Sequence, residues 1–153
     1  MDVLDNTDIL ILKTLNQNSN ITTKELAKIV SLSPTPVFER VKRLENEGYI
    51  RKYIAVLDAE KLNKGFIVFC NIKLKRHNKE IGNNFVSDIM QIEEIAECYN
   101  ISGDFDFLLK IYAKDMHHYQ DIVFNKLGSV ESIGSTHSTF VMSEIKASFT
   151  LPI

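Results

Sequence analysis

The chain has 153 residues, 44% of them hydrophobic and 25% charged, with a formal net charge of -2. That is enough apolar material for one domain or two small ones, and the overall charge does not by itself advertise a nucleic-acid partner. No charged leader followed by a long apolar segment opens the sequence. The longest apolar runs, such as Phe66 to Cys70, fall far short of the ~20 residues a membrane helix needs, so a cytoplasmic protein without a membrane partner is expected.

Residues 4–17, LDNTDILILKTLNQ, read as a first helix. Asp5 stands at the N-cap, Asp8 lies in the first turn where the helix dipole favours an anion, and Leu4, Asp8, Ile11 and Leu15 recur at helical spacing. Thr22 precedes Glu25 by three residues, the reciprocal capping spacing that opens a second helix to about Val30, with Leu26, Ile29 and Val30 facing inward. A third helix has Ser33 as its cap and Pro34 at its first position, where a missing N–H costs nothing, and stops at Gly48. Three short helices with a tight turn before the last form a helix-turn-helix.

On this third helix Val37, Val41 and Leu44 make the stripe that buries. Thr35, Glu39 and Lys42 lie opposite it, while Pro36, Arg40 and Arg43 share one flank. A short-side-chain N-terminus at Ser33 to Pro36 with bases beyond it suits a major groove: small residues reach base edges, and arginines bind guanine or clamp phosphates. The competing reading is that Arg40 and Arg43 merely pair with Glu39 and Glu47 on a solvated helix.

From Tyr49 to Leu57 the residues are β-branched and aromatic, which predicts a strand serving as a wing or connecting arm. DAEKLNKG breaks that pattern and places the boundary between a domain at 1–58 and another at 59–153. Beyond it come a strand in FIVFCNIKLK and a helix carrying Ile81, Phe85 and Ile89. Two strands follow about the turn SGD, then a helix capped by Asp115 that buries Met116, Tyr119, Ile122, Val123 and Leu127 and ends at Gly128. Residues 130–149 are again strand-like. The order β-α-β-β-α-β is the ferredoxin-like split unit, giving an α+β protein whose sheet has one face uncovered; a second copy is the expected cover. Cys70 and Cys98 sit in strand-like segments without a Cys-x-x-Cys spacing and are expected as reduced core thiols.

In SGDFD, Gly103 lets backbone amides approach a carboxylate, and Asp104 and Asp106, two residues apart on extended backbone, would share one face able to take an ammonium. An amino-acid zwitterion needs both. The alternative is a polar hairpin turn. An enzyme is disfavoured: His117 and His118 are adjacent on a helix and point about 100° apart. His77 and His137 lack ligands at metal-motif spacing, and nothing resembles a nucleophile with its base, a P-loop or a dinucleotide fingerprint. No metal or other cofactor is expected.

Four stretches in this order, LDNTDILILKTL, ELAKIVSLSPTPVFERVKRLENEGYI, SGDFDFLLKI and TFVMSEIK, make nearly the whole chain resemble the Lrp/AsnC (feast/famine) family of transcription regulators. The resemblance implies an N-terminal winged helix-turn-helix that binds double-stranded DNA, and a C-terminal ferredoxin-like domain that binds an amino-acid effector. It also implies homodimers that assemble further, often to octamers. Carried onto this sequence, the DNA-contact positions are Ser33, Thr35, Pro36, Arg40, Lys42 and Arg43. The effector positions are Asn100, Gly103, Asp104 and Asp106 with Thr136, Ser138 and Thr139. Two departures stand out. Ser31 occupies a turn position where relatives often have glycine. Asn100 and Thr139 replace bulkier apolar residues of leucine-responding members, which points to an effector with a polar or small side chain. An effector-independent architectural DNA-binding protein is the other function this pattern allows.

Overall fold

The computed structural model describes residues 3–147 and 149–153. Met1 and Asp2, expected in the first domain, and Ser148, expected in the last strand, lie outside the described residues. Two compact units form: residues 1–56 with 146–153, and residues 57–145. Residues 149–153 lie with the N-terminal unit, where Asn16 Nδ2 donates to the Leu151 carbonyl at 2.6 Å.

The N-terminal unit holds α1 (Asn6–Gln17), α2 (Thr23–Ile29) and α3 (Pro34–Asn46). The predicted caps of α1 and α2 are present, each as a reciprocal box. The Asp5 carboxylate accepts from the Asp8 N–H at 2.8 Å, and Thr22 and Glu25 exchange bonds across the start of α2. Helix α3 begins at Pro34 as expected, but the Ser33 side chain makes no capping bond. Ile11, Leu26, Ala27, Val30, Val37 and Leu44 form the core, with Val41 and Leu15 packed at its margin. Ile29, expected inside, is exposed, and Ala27 is buried beside Leu26 instead: adjacent helical residues lie 100° apart, so a seven-residue helix centres its inward face on Leu26, Ala27 and Val30.

No strand forms among the described residues of this unit. Residues 49–57, expected as a wing or arm strand, form none, and 51–57 are exposed, with Tyr53, Ile54, Val56 and Leu57 open to solvent. Their β-propensity has no partner strand within the protomer to satisfy it.

The second unit runs β1 (Phe66–Leu74), α4 (Lys79–Ile89), β2 (Ile95–Asn100), β3 (Phe107–Ala113), α5 (Met116–Asp121) and β4 (Ile133–Phe140), the predicted split βαββαβ. The antiparallel sheet has strand order β2-β3-β1-β4. Val68, Cys70 and Ile72 alternate inward with Leu109 and Ile111, and Phe85, Ile89, Tyr119, Ile122 and Leu127 of the helical layer cover that face. On the opposite face Phe69, Leu108 and Tyr112 remain part-exposed and Tyr99 is exposed. Helix α5 widens into a π-helical stretch at Ile122–Lys126 and closes in a 3-10 turn at Leu127–Ser129. This shift of phase turns Phe124 outward, and Met116, expected inside, is also exposed at the helix start. Strand β4 ends at Phe140; residues 141–147 form no regular element. Cys70 is buried, but Cys98 is exposed on β2, an edge strand with no neighbour on its far side.

The turn into α3 is closed by a pair of backbone bonds, Leu32 N–H to the Ala27 carbonyl and Ser31 N–H to that of Lys28, which require the residue after the helix cap to be left-handed. That residue is Ser31, at φ +55°. Ser31→Gly is expected to raise the unfolding free energy of this unit by about 0.5–1 kcal/mol, the relief of ~1–2 kcal/mol of steric cost less glycine's entropy. Chemical denaturation measures it.

Candidate functional site

The helix α3 is oriented by a charge cluster on its inner flank. Asp8 is 1% exposed, set beside Ile11 on the buried stripe of α1. Its carboxylate accepts from Arg40 at 2.7 Å, from Arg43 at 2.5 Å and from the Asp5 N–H at 3.2 Å. The same Arg40 nitrogen also reaches Asp5 Oδ2 at 2.7 Å. Asp5 is held below its ordinary carboxylate value, first by the Asp8 N–H and then by Arg40. Arg40 is raised, first by Asp8 and then by Asp5.

Both arginines therefore face the protein, with side chains 29% and 37% exposed, instead of presenting two open guanidinium groups to solvent as the sequence suggests. Neither pairs with Glu39 or Glu47; the partners are two carboxylates on another helix. Asp8 stands with the apolar Ile11 and Leu15 at i, i+3 and i+7 along α1, and a carboxylate on a buried stripe demands a cation.

What α3 leaves open is Ser33 and Thr35 at its exposed N-terminus, Pro36 at the margin, and Phe38, Glu39 and Lys42 beyond. Lys42 Nζ bonds Glu45 at 2.7 Å and stands 5.9 Å from the centroid of the Phe38 ring. Phe38, 53% exposed, was not among the expected contact residues; an aromatic next to a buried-stripe position on this helix was its signal.

In the second unit the β2–β3 turn carries Gly103 at φ +121°, a conformation that favours glycine, with open space where a Cβ would stand. Asp106 closes this turn onto β1. Its Oδ2 accepts from the Leu74 N–H at 2.7 Å, its own N–H donates to the Ile72 carbonyl, and its Oδ1 lies 3.2 Å from His77 Nδ1. Asn100 Nδ2 donates to the Asp106 carbonyl at 3.0 Å. Asp104 is exposed, without a hydrogen bond or ion pair among the described residues. Phe105 stacks towards His137 of β4 with ring centroids 6.0 Å apart.

The structure thus brings Asn100, Gly103, Asp104 and Asp106 into one turn, with Thr136 opposite Ile72 on the neighbouring strand. It does not bring Ser138 or Thr139 there. Ser138 bonds the Tyr119 hydroxyl at 2.5 Å on the helix-covered side, where burial pushes the Tyr119 phenol up to about 12. Thr139 pairs with Phe69 on the opposite face. No group of side chains suited to a metal ion occurs among the described residues. No described helix is long and apolar enough to cross a membrane.

Residues 4–51 match the winged helix-turn-helix DNA-binding domain, and residues 67–151 match the Lrp/AsnC ligand binding domain. The chain belongs to the Lrp/AsnC family. It is 40% identical over 150 residues to the leucine-responsive regulatory protein of Klebsiella pneumoniae, spanning 98% of this chain and 92% of the relative. A Neisseria meningitidis transcriptional regulator in complex with L-Met superposes with TM-score 0.94 at 35% identity, covering 98% and 97% of the two chains. An AsnC family regulator from Agrobacterium tumefaciens gives 0.92 at 34%, covering 97% of each. This family member is an Lrp-type DNA-binding transcriptional regulator with a ligand-binding domain, not an enzyme.

Removing the buried carboxylate leaves two guanidinium groups without their shared acceptor. Asp8→Ala is expected to cost about 2–3 kcal/mol of stability, below the 3–5 of a fully buried pair because both arginines reach water. Thermal and urea unfolding measure it. The depressed Asp5 adds an acid limit: its contribution is complete above its ordinary value of 3.8 and is lost as pH falls through the lower folded value.

Proposed function

We propose that this regulator reads specific DNA sequences with the outer face of α3 and changes its DNA affinity when a free amino acid binds at the β2–β3 turn. The observation that carries the effector half is the turn itself: a glycine in a left-handed conformation exposes backbone amides beside the carboxylates of Asp104 and Asp106, which matches a zwitterion. The L-Met complex of the Neisseria relative supports an amino acid as the ligand class. Within the turn, Asp104 offers the unengaged carboxylate to an ammonium, amides around Gly103 take the carboxylate, and Asp106 holds the turn's shape through Leu74. Asn100 borders it, its amide on the Asp106 carbonyl, while Thr136 sits on β4 opposite Ile72. Ser138 and Thr139 belong to other surroundings in the protomer, so the preference for a polar or small ligand side chain rests on Asn100 alone.

On the DNA side, Ser33, Thr35, Pro36 and Lys42 form the contact set. Arg40 and Arg43 position the helix through Asp8. The part-exposed sheet face with Phe69, Leu108, Tyr112 and Tyr99 supports a homodimer as the building block, with an octamer among the closed assemblies it can form. A DNA-regulating role supports a cytoplasmic location.

Coupling between effector and DNA follows from differential affinity of the ligand for two arrangements of the assembly, typically 1–3 kcal/mol, or roughly 5- to 150-fold in DNA affinity. Titrating the twenty amino acids by calorimetry is expected to find at least one binder, and Asp104→Ala and Asp106→Ala are expected to lose that heat while binding DNA near normally. Heats absent for every amino acid in the wild type, or unchanged in both variants, contradict the effector site. Light scattering of the full chain at micromolar concentration is expected to give a dimer or larger; a monodisperse monomer contradicts the assembly.

A further inference from the structure

The arginine clamp fixes which part of α3 faces away from the protein. Arg40 and Arg43 occupy one flank, Val37 and Leu44 are buried beneath, and the remaining surface carries Thr35, Phe38 and Lys42, at i, i+3 and i+7, with Glu39 beside them. Phe38 is the one large apolar side chain of this surface, and over half of it is exposed. Its ring does not stand alone: the Lys42 ammonium lies 5.9 Å from the ring centroid, and Glu45 anchors that ammonium at 2.7 Å. The pair presents an apolar disc flanked by a cation, on the second and third turns of α3.

A phenyl ring has no hydrogen-bonding atom, so it cannot read the donor and acceptor pattern of base edges. In the major groove of a paired duplex, the apolar feature that distinguishes one base from another is the thymine 5-methyl group. A cation beside the ring has its own counterpart in the phosphate backbone that borders the groove. We infer that Phe38 is a specificity-determining residue, selecting thymine by apolar contact with its 5-methyl group while Lys42 engages the adjacent phosphate. The inference rests on α3 being the DNA-reading helix.

The test uses a duplex selected by the full-length wild type from a random pool of DNA, remade with each thymine in turn replaced by deoxyuridine, which removes only the methyl. At one or more positions the wild type is expected to lose about fourfold in affinity, the worth of burying one methyl group. Phe38→Ala is expected to bind the thymine duplex about that much more weakly and to show no further loss on the deoxyuridine version. Lys42→Ala is expected to keep the methyl discrimination while binding both duplexes more weakly. Thermal unfolding of Phe38→Ala at the wild-type temperature confirms that its exposed ring serves no folding role. A wild type indifferent to deoxyuridine at every position overturns the inference, as does a Phe38→Ala variant with undiminished discrimination. A wild type that enriches no sequence overturns the DNA-reading assignment of α3 and the inference with it.

Discussion

A carboxylate inside an apolar core is the constraint around which the DNA-binding unit is organised. Asp8 occupies a position on α1 where the helical period calls for a hydrophobic residue, and an isolated ionised carboxylate there would cost several kcal/mol. Two guanidinium groups, one turn apart on α3, remove that cost together with the Asp5 N–H. Apolar contacts through Val37 and Leu44 alone would tolerate some rotation of α3 about its axis. Charge-assisted bonds to a fixed carboxylate do not, because guanidinium geometry is planar and directional. Asp5 ties this to helix formation: one carboxylate caps α1 and also receives Arg40, so the start of α1 and the orientation of α3 are formed together.

The effector unit uses acidic side chains in the same economical way. Asp106 has the residue type and place of a ligand contact, yet its carboxylate satisfies the Leu74 N–H where β1 ends, and its backbone continues the pairing to Ile72. These bonds fix the turn to β1, and in the proposed site they leave the Gly103 amides and Asp104 for the ligand. Pre-organisation of this sort lowers the ordering cost of binding. In both units the charged groups closest to the function spend part of their charge on shaping the surface that carries it.

The features legible in the sequence were those set by neighbours within four residues. The Asp5 cap, the capping box of α2, Pro34 at the start of α3, the stop at Gly48 and the βαββαβ order follow from local periodicity and caps. Long-range partners were not legible. Arg40 and Arg43 meet a carboxylate more than thirty residues away, while the sequence offers Glu39 and Glu47 close by. Sheet register hid the fate of Ser138 and Thr139, since adjacent strand residues face opposite sides and only the pairing of β4 with β1 decides which. Residues 51–57 have strand-forming composition, but a strand needs a partner and the protomer supplies none. Cys98 followed the strand pattern into the sheet without revealing that β2 lies at its edge. Asp8 is the case where the information was present: the stripe and the charge were both visible, and their conflict pointed to a cation on a facing helix.

The claim that Arg40 and Arg43 position α3 through Asp8 while Lys42 touches DNA is tested most directly by the salt dependence of duplex binding. The slope of log affinity against log salt would be measured for the wild type, Arg43→Ala and Lys42→Ala, with the unfolding free energy of each. Lys42→Ala should lower the slope by about one and leave stability nearly unchanged, whereas Arg43→Ala should keep the wild-type slope and lose stability. An Arg43→Ala protein of wild-type stability whose slope falls by about one would contradict the account.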